Sequence, residues 1–340
     1  MILIYTHKTS LRLKYILNLF FKDIYGIEHR ITNSKEEFQA SALAKISYCP
    51  VALGNEFHIT SVSLALETGI REQNISIGEW KGMKVLFKTD SQGAIPFDLF
   101  SATFFLVSRY EEYLPHIRDR YDRFEAESSL AFQHGFLKQP LVNFWAEEFK
   151  SLLKQQFPHL EFKVHKYQYI STIDIDNAYA FKQKGMMRTI GGYGRSVVNF
   201  FYKDFSERTK VLLGKMHDPY DTYAEQLRIQ KQYQLQVIYF FLLGDYGVND
   251  KNLPSNNLKF QGLIKHLNDY ADVGIHPSFG SNGNPEQVKK EIGRLSRIVH
   301  RDITNSRQHF LKLHFPETYK TLIDNGITDD YTMGYASQVG

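Results

Sequence analysis

The chain contains a single cysteine, Cys49, among its 340 residues, so no disulfide can form within it. That composition fits a reducing compartment. No stretch approaches the roughly 18 apolar residues that a membrane-spanning helix requires. Residues 1–8 also lack the basic segment, apolar run and small-residue cleavage site of a signal peptide. We therefore expect a cytoplasmic protein without a membrane span.

A strong charge of one sign is also lacking. Lys and Arg total 41 and Asp and Glu total 37, a net charge of +4, which is too mild to predict nucleic-acid binding. No glycine-rich phosphate loop follows a strand, and no Gly-x-Ser-x-Gly nucleophile elbow is present. Aromatic residues are abundant instead, with 26 Phe and 21 Tyr, which suits a large core or a sugar-binding cleft.

The chain is long enough for two domains or one large α/β barrel. Residues 1–165 have the mixed strand and helix patterns of an α/β domain, and no motif there indicates a chemistry. Its charged run, 118–123, fits a solvated loop of self-neutralising charges better than a clamp for an anion. Residues 166–340 alternate strand and helix patterns, which predicts parallel βαβ units.

Two acidic residues end the first predicted strand of this second region. The segment 168–176 has the pattern of a short strand whose apolar residues give way to two carboxylates, Asp174 and Asp176, at its end. Residues two apart on a strand point the same way, so these carboxylates would project together. A divalent cation, a shared proton or a basic neighbour would relieve their repulsion. A strand-to-helix turn in which one acid caps the helix is the simpler alternative.

Further polar residues follow later predicted strands. The apolar run 237–244 predicts a strand buried on both faces, and the strand 272–275 runs directly into His276. Arg307 and His309 lie two apart on another predicted strand and would share a face. Functional groups collect at the carboxyl ends of strands in parallel α/β folds. A lone histidine at a strand end is more often structural, but several such residues together favour a site.

The order of these motifs resembles the polysaccharide deacetylases, metal-dependent carbohydrate esterases with a distorted (β/α) barrel. Thr172-Ile173-Asp174-Ile175-Asp176 resembles the Thr-Phe-Asp-Asp-Gly motif of that family. The chain is more similar to a divergent bacterial branch with its own N-terminal domain. That similarity lies in the segments 104–112, 218–222, 273–278, 307–311 and 330–336.

The resemblance implies that Asp174 is the general base and that Asp176 and His276 are metal ligands. The family has a second histidine four residues after the first, where this chain has Gly280. We expect His309 to replace it and Arg307 to orient Asp174 through a bidentate ion pair. The family continues beyond the point that corresponds to Gly340 with segments that carry a catalytic-acid histidine, so we expect an incomplete barrel.

The expected function is hydrolysis of an N-acetyl (or O-acetyl) group on a sugar or polysaccharide, with a divalent cation, zinc, as the cofactor. One alternative is a non-catalytic relative that binds a glycan or a partner protein. The other is a metal-dependent nucleotide-sugar glycosyltransferase, which also uses an Asp-x-Asp pair at a strand end. The glycosyltransferase alternative leaves His276, Arg307 and His309 without a role.

Overall fold

The computed structural model describes residues 1–89 and 93–340 and divides into two compact units. The first unit comprises Met1–Ile117, Phe124–Lys166 and Ser337–Gly340, and the second comprises Arg118–Arg123 and Tyr167–Ala336. The expected division after residue 165 into independent domains stays a prediction. None of the helices in the described ranges has the length and apolar character needed to cross a membrane.

The first unit is built on a parallel sheet of four strands, in the order β2-β1-β3-β4, with a separate antiparallel hairpin of β5 and β6. Its strands are Ile2–Thr6 (β1), His29–Thr32 (β2), Ala44–Cys49 (β3), Phe57–Thr60 (β4), Ile77–Trp80 (β5) and Met83–Leu86 (β6). Its helices are Leu11–Leu17 (α1), Lys35–Ala40 (α2), Leu99–Val107 (α3), Leu130–Gln133 (α4) and Leu141–Gln156 (α5).

The helix α3 shows how this unit is held together. Six of its nine residues are buried, as expected from a sequence that is apolar nearly all round. The Asp98 side chain caps its first turn by accepting a hydrogen bond from the Ser101 backbone N–H (2.9 Å). Tyr48 donates to the same carboxylate (2.8 Å), so the cap also ties the helix to β3.

The second unit alternates strands and helices, as the sequence predicts. Its strands are Ile170–Ile175 (β7), Gln236–Phe241 (β8), Asp272–Ile275 (β9), Asn305–Ser306 (β10) and Asp329–Asp330 (β11). Its helices are Met186–Val198 (α6), Tyr202–Leu212 (α7), Tyr223–Tyr233 (α8), Leu258–Asn268 (α9), Pro285–Val299 (α10) and Glu317–Asp324 (α11). The strands form one parallel sheet in the order β7-β8-β9-β10-β11.

This sequential order is the connectivity of a (β/α) barrel, in which each strand lies beside the next one along the chain. The prediction of a mixed α/β fold with parallel strands is confirmed. Within the described residues the five strands form an open half-barrel sheet, with β7 and β11 at its edges, and a closed barrel is not formed.

The central strand β8 is buried from Val237 to Phe241, which explains its continuous apolar run. Each of these side chains contributes roughly 1.5–3 kcal/mol through burial. Its neighbour β9 can approach closely because residue 274 is glycine. A Cβ atom at Gly274 would lie 2.6 Å from the Phe240 ring and 2.8 Å from the Asn305 carbonyl oxygen. The absence of a side chain there therefore sets the spacing of β8, β9 and β10.

Candidate functional site

Polar side chains from three strands meet at the carboxyl edge of the second unit's sheet. Asp174 is the penultimate residue of β7, and Asp176 follows the strand. His276 follows β9 directly, and Arg307 follows β10 directly. The parallel arrangement places the ends of these strands side by side, so residues far apart in the sequence become neighbours.

The prediction of Arg307 and His309 on one strand needs a correction. The strand β10 ends at Ser306, and His309 begins a short 3₁₀ turn. Ladder hydrogen bonds nevertheless continue past the strand, since Arg307 N–H donates to the Ile275 carbonyl and His309 N–H donates to the Pro277 carbonyl (both 3.0 Å). These two bonds extend the parallel pairing of β10 with β9 to the residues that follow each strand. Arg307 and His309 therefore both reach the site.

Asp176 lies between two imidazoles. Its Oδ1 is 3.2 Å from His276 Nε2, and its Oδ2 is 3.6 Å from His309 Nε2. The two imidazole rings are 5.1 Å apart between centroids. Both histidines are buried, whereas the Asp176 side chain is half exposed, so the cluster opens toward solvent on the carboxylate side.

Hydrogen bonds at the opposite ring nitrogens determine which nitrogen faces Asp176. His276 Nδ1 lies 2.5 Å from the Arg307 carbonyl oxygen, which can only accept, so Nδ1 carries the proton. His309 Nδ1 lies 2.9 Å from Asp250 Oδ1 and donates to that carboxylate. When the imidazoles are neutral, which metal binding requires, both Nε2 atoms present lone pairs toward Asp176. When an imidazole is protonated, its Nε2–H instead donates to the Asp176 carboxylate.

Asp250 was not singled out by the sequence reasoning. It is buried, and its carboxylate accepts from the backbone N–H groups of Phe279 (2.8 Å) and Gly280 (3.0 Å) as well as from His309. The strand-end rule could have suggested it, because it lies in the loop after β8. Asp245 lies in the same loop, however, and pairs with the exposed Lys290 and with Arg294 instead.

Gly280 supports the site through its backbone N–H group. It occupies the position where the resembled family has its second histidine, and its N–H holds the carboxylate that in turn holds His309. A Cβ atom at residue 280 would lie in van der Waals contact with Asp250 Oδ2, at 3.4 Å. The second imidazole of this site therefore comes from residue 309, and the backbone at residue 280 supports it indirectly.

The electrostatics of the cluster favour ionised carboxylates. Burial alone would raise the pKa of Asp176, but hydrogen bonds from His276 and His309 outweigh it and hold the pKa well below its usual range. Burial would lower the pKa of His309, but Asp176 and Asp250 together raise it to about 9. Burial also opposes ionisation of Asp250, whose pKa is lowered by its hydrogen bonds to His309 and to the two backbone N–H groups.

The donor set fits a divalent cation. At the usual bond lengths of zinc to nitrogen and oxygen, tetrahedral ligands lie about 3.3 Å apart. The contacts of Asp176 with His276 and His309, 3.2 Å and 3.6 Å, are close to that spacing. One ligand atom from each of the three residues lies within 4.8 Å of the others. Nitrogen and carboxylate ligands suit zinc and neighbouring transition metals rather than calcium.

Asp174 stands beside this cluster with a different partner. Its Oδ1 accepts from Arg307 Nη1 at 3.1 Å. The expected two-point contact is not formed, because Arg307 Nη2 donates to Thr172 Oγ1 (2.8 Å) instead. Arg307 Nε donates to the Tyr331 carbonyl (3.0 Å), and the guanidinium lies 5.1 Å from the centre of the Phe240 ring. The arginine is thus fixed from several sides, and no donor among residues 1–89 and 93–340 bonds to Asp174 Oδ2.

The two acids and two histidines line a cavity of about 460 Å³, which a sugar unit can enter. Its other lining residues are Arg123, Asn177, Asn249, Lys251, Gln308, Phe310, Leu311 and Ala336. Arg123 comes from the charged run 118–123. The expected self-neutralisation of this run is confirmed by its ion pairs, but the Arg123 side chain is only 19% exposed and reaches the cavity instead of lying in solvent. Its guanidinium pairs with Asp119 (2.7 Å) and donates to the Phe310 carbonyl (2.8 Å).

Comparisons with known proteins match parts of the chain. The family model described as "Family of unknown function (DUF7033)" matches residues 2–158, less than half of the chain. No curated protein matches the sequence. Several solved structures match weakly. Of the three described below, two are described as polysaccharide deacetylases and the third is IcaB.

The first is a protein from Mycobacterium smegmatis assigned to the polysaccharide deacetylases, with 12% identity, 52% of this chain and 54% of that chain covered, and a TM-score of 0.32. The polysaccharide deacetylase Bc1974 from Bacillus cereus has 16% identity, with 49% of this chain and 60% of that chain covered and a TM-score of 0.28. IcaB from Ammonifex degensii has 10% identity, with 50% of this chain and 86% of that chain covered and a TM-score of 0.29. The chain spans about half the length of the first of these structures. Scores this low do not establish a shared fold.

Proposed function

We propose that this protein is a metal-dependent hydrolase that removes an acetyl group, N-linked or less often O-linked, from a sugar or polysaccharide. One observation carries the proposal. Two imidazoles, each with Nδ1 engaged as a donor, turn Nε2 toward the same carboxylate, next to a second carboxylate fixed by an arginine. The choice of an acetylated sugar as substrate rests on the motif resemblance around Asp174 and His276.

Asp176, His276 and His309 would hold the cation, which zinc fits by ligand type and spacing. When bound, such a cation polarises an acetyl carbonyl and lowers the pKa of water. Three protein ligands leave room for water and substrate on the side where Asp176 is exposed. Asp250 and the Arg307 carbonyl keep the two imidazoles in the required tautomer and orientation.

Asp174 is the general base in this proposal. Its Oδ1 is held by Arg307, so its second oxygen can accept the proton of the attacking water. The positioning of Asp174 by Arg307 limits the motion of the base. The glycosyltransferase alternative requires both acids of the Asp-x-Asp pair to bind one cation, but Asp174 already pairs with Arg307 at 3.1 Å.

The test combines metal analysis of the purified chain with acetate release from acetylated amino-sugar oligomers. Asp174→Asn should lose activity on the order of 10²–10⁴-fold and retain the metal. His276→Ala and Asp176→Ala should lose both. Asp245→Asn is the matched control, since Asp245 lies in a loop at the same sheet edge but pairs with Lys290 and Arg294.

Three outcomes would count against the proposal. Full activity of Asp174→Asn would remove the assigned base. Metal content unchanged in His276→Ala and Asp176→Ala would remove the assigned ligands. Stoichiometric metal without any acetate release would favour the non-catalytic alternative.

A further inference from the structure

The helical hairpin formed by α6 and α7 carries a high concentration of exposed apolar side chains. The described chain exposes 33 large hydrophobic residues, and eleven of them lie within residues 186–213. Among these, Met187 is 85% exposed and Phe200, in the turn between the helices, is 72% exposed. Exposed apolar patches of this kind mark interaction surfaces.

The helix α6 is amphipathic, but its apolar face points to solvent and its polar face is buried, the opposite of a helix on the surface of a soluble protein. Its one buried residue is polar: Ser196 donates to the Gly192 carbonyl (2.9 Å) and to the Asp204 carboxylate of α7. Met186, Ile190 and Val197 recur at helical spacing and form an apolar stripe, with each side chain more than half exposed. The polar side of the helix therefore packs inward and the apolar side faces outward.

The charge of the hairpin and the residues that flank it indicates what covers this surface. Residues 182–215 contain eight basic and two acidic residues, a net charge of +6, whereas the whole chain has a net charge of only +4. Arg195, Lys203, Lys210 and Lys215 are exposed. Exposed apolar side chains flanked by Lys and Arg are typical of helices that lie in the interface of an anionic membrane. A second copy of the segment 182–215 would bring two charges of +6 together, which disfavours self-association.

We propose that the α6–α7 hairpin docks on the surface of an anionic lipid membrane. The apolar side chains around Phe200 enter the interfacial region, and the basic residues contact the headgroups. This proposal concerns the hairpin alone and stands whether or not the chain is a hydrolase.

The hairpin is anchored near the candidate site. Its first helix begins ten residues after Asp176. Arg188 donates to the Asn252 carbonyl (2.9 Å) and lies 3.7 Å from the centre of the Tyr246 ring. Both contacts are in the loop that carries Asp250, so a docked hairpin would hold the carboxyl edge of the sheet near the membrane surface.

The experiment is co-sedimentation of the full chain with phosphatidylcholine vesicles, with and without phosphatidylglycerol. We expect binding to the anionic vesicles that weakens as salt is raised. Phe200→Ser/Phe201→Ser should weaken it by at least about tenfold, because both side chains are exposed in the free protein and buried in the interface. The control is Tyr233→Ser/Tyr270→Ser, which removes two aromatic residues of similar exposure near the ends of α8 and α9.

The basic residues are tested in the same assay. Lys203→Gln/Lys210→Gln/Lys215→Gln should weaken binding by about tenfold or more. The control changes three exposed lysines of α8 and α9, Lys231, Lys259 and Lys265, to Gln and should bind as the wild type does. Far-ultraviolet circular dichroism checks that every variant is folded.

Absence of binding to anionic vesicles at low salt would overturn the proposal, as would equal losses in the test and control variants. A chain that forms oligomers which Phe200→Ser/Phe201→Ser dissolves, with no vesicle binding, would assign the surface to a second copy instead. Retention by an acetylated polysaccharide that Phe200→Ser/Phe201→Ser weakens, with no vesicle binding, would assign the surface to glycan.

Discussion

Replacing Asp250 by Asn is expected to weaken the proposed metal binding although Asp250 is not one of the three proposed ligands. Its Oδ1 accepts from His309 Nδ1 and from the Phe279 N–H, and its Oδ2 accepts from the Gly280 N–H. An Asn side chain has one oxygen for these three donors. Its NH₂ group would point at an N–H group that needs an acceptor, so at least one donor would lose its hydrogen bond. The variant also loses the negative charge that makes His309 a stronger ligand.

Loss of a carboxylate behind a ligating imidazole typically costs 10–100-fold in metal affinity. That range corresponds to about 1.4–2.8 kcal/mol. The variant should also lose some stability without metal, about 1–3 kcal/mol for one buried donor left unsatisfied. Zinc affinity is measured by competition with a chromogenic chelator, and stability by urea unfolding in the presence of EDTA.

Asp218→Asn provides a matched control. Asp218 is also buried, and its carboxylate accepts from the backbone N–H groups of Ala180, Phe181 and Lys182 (2.7–3.0 Å). It contacts none of the three candidate ligands in these bonds. This control should lower stability by a similar amount and leave zinc affinity unchanged. Unchanged affinity in Asp250→Asn, or an equal loss in Asp218→Asn, would refute the role given to Asp250.

Three further predictions address metal, packing and pH. Zinc at about 100 times its Kd should stabilise the protein by about 2.7 kcal/mol, seen as a rise in Tm that EDTA reverses and His309→Ala abolishes. Gly274→Ala should destabilise by about 1–3 kcal/mol in urea unfolding, because its Cβ would meet the Phe240 ring at 2.6 Å; Gly293→Ala in α10, where a Cβ meets nothing within 4 Å, should not. Burial raises the pKa of Asp98 from 3.8 to about 6, so the stabilising contribution of its protonated form is complete below pH 4 and is lost as pH rises through 6. The change is on the order of 3 kcal/mol, and Asp98→Asn should flatten this part of the stability–pH curve; an identical slope in the variant would contradict the assignment.

The alternation of strands and helices in the second unit could be predicted from sequence because its signals are strong and local. The strand β9 has the predicted bounds, 272–275, and α10 begins where Asn284 caps it by accepting from the Gln287 N–H (3.2 Å). The sequence also predicts Asp221 as the N-cap of the next helix, and this prediction is wrong. The helix α8 begins at Tyr223 after Thr222, and no side-chain cap is formed there.

The support behind the site could not be predicted in the same way. Asp250 and Asp245 lie five residues apart in one loop, and only the folded chain shows that the first reaches His309 while the second faces Lys290. The position of Arg123 is also non-local, since its contact with the Phe310 carbonyl joins residues 187 apart in sequence. Periodicity and spacing describe single elements and carry no information on such contacts.

The two carboxylates of the Asp-x-Asp pair illustrate how neighbours assign different chemistry to similar residues. Asp174 and Asp176 are two residues apart and line the same cavity. Arg307 takes one oxygen of Asp174, whereas both oxygens of Asp176 face imidazole nitrogens. An acid between two lone-pair donors binds a cation well, and an acid held by a guanidinium remains available to accept a proton. The ladder bonds that continue beyond β10 to His309 give Asp176 its second imidazole neighbour. The proposed roles of Asp176 as a ligand and Asp174 as a base depend on this difference.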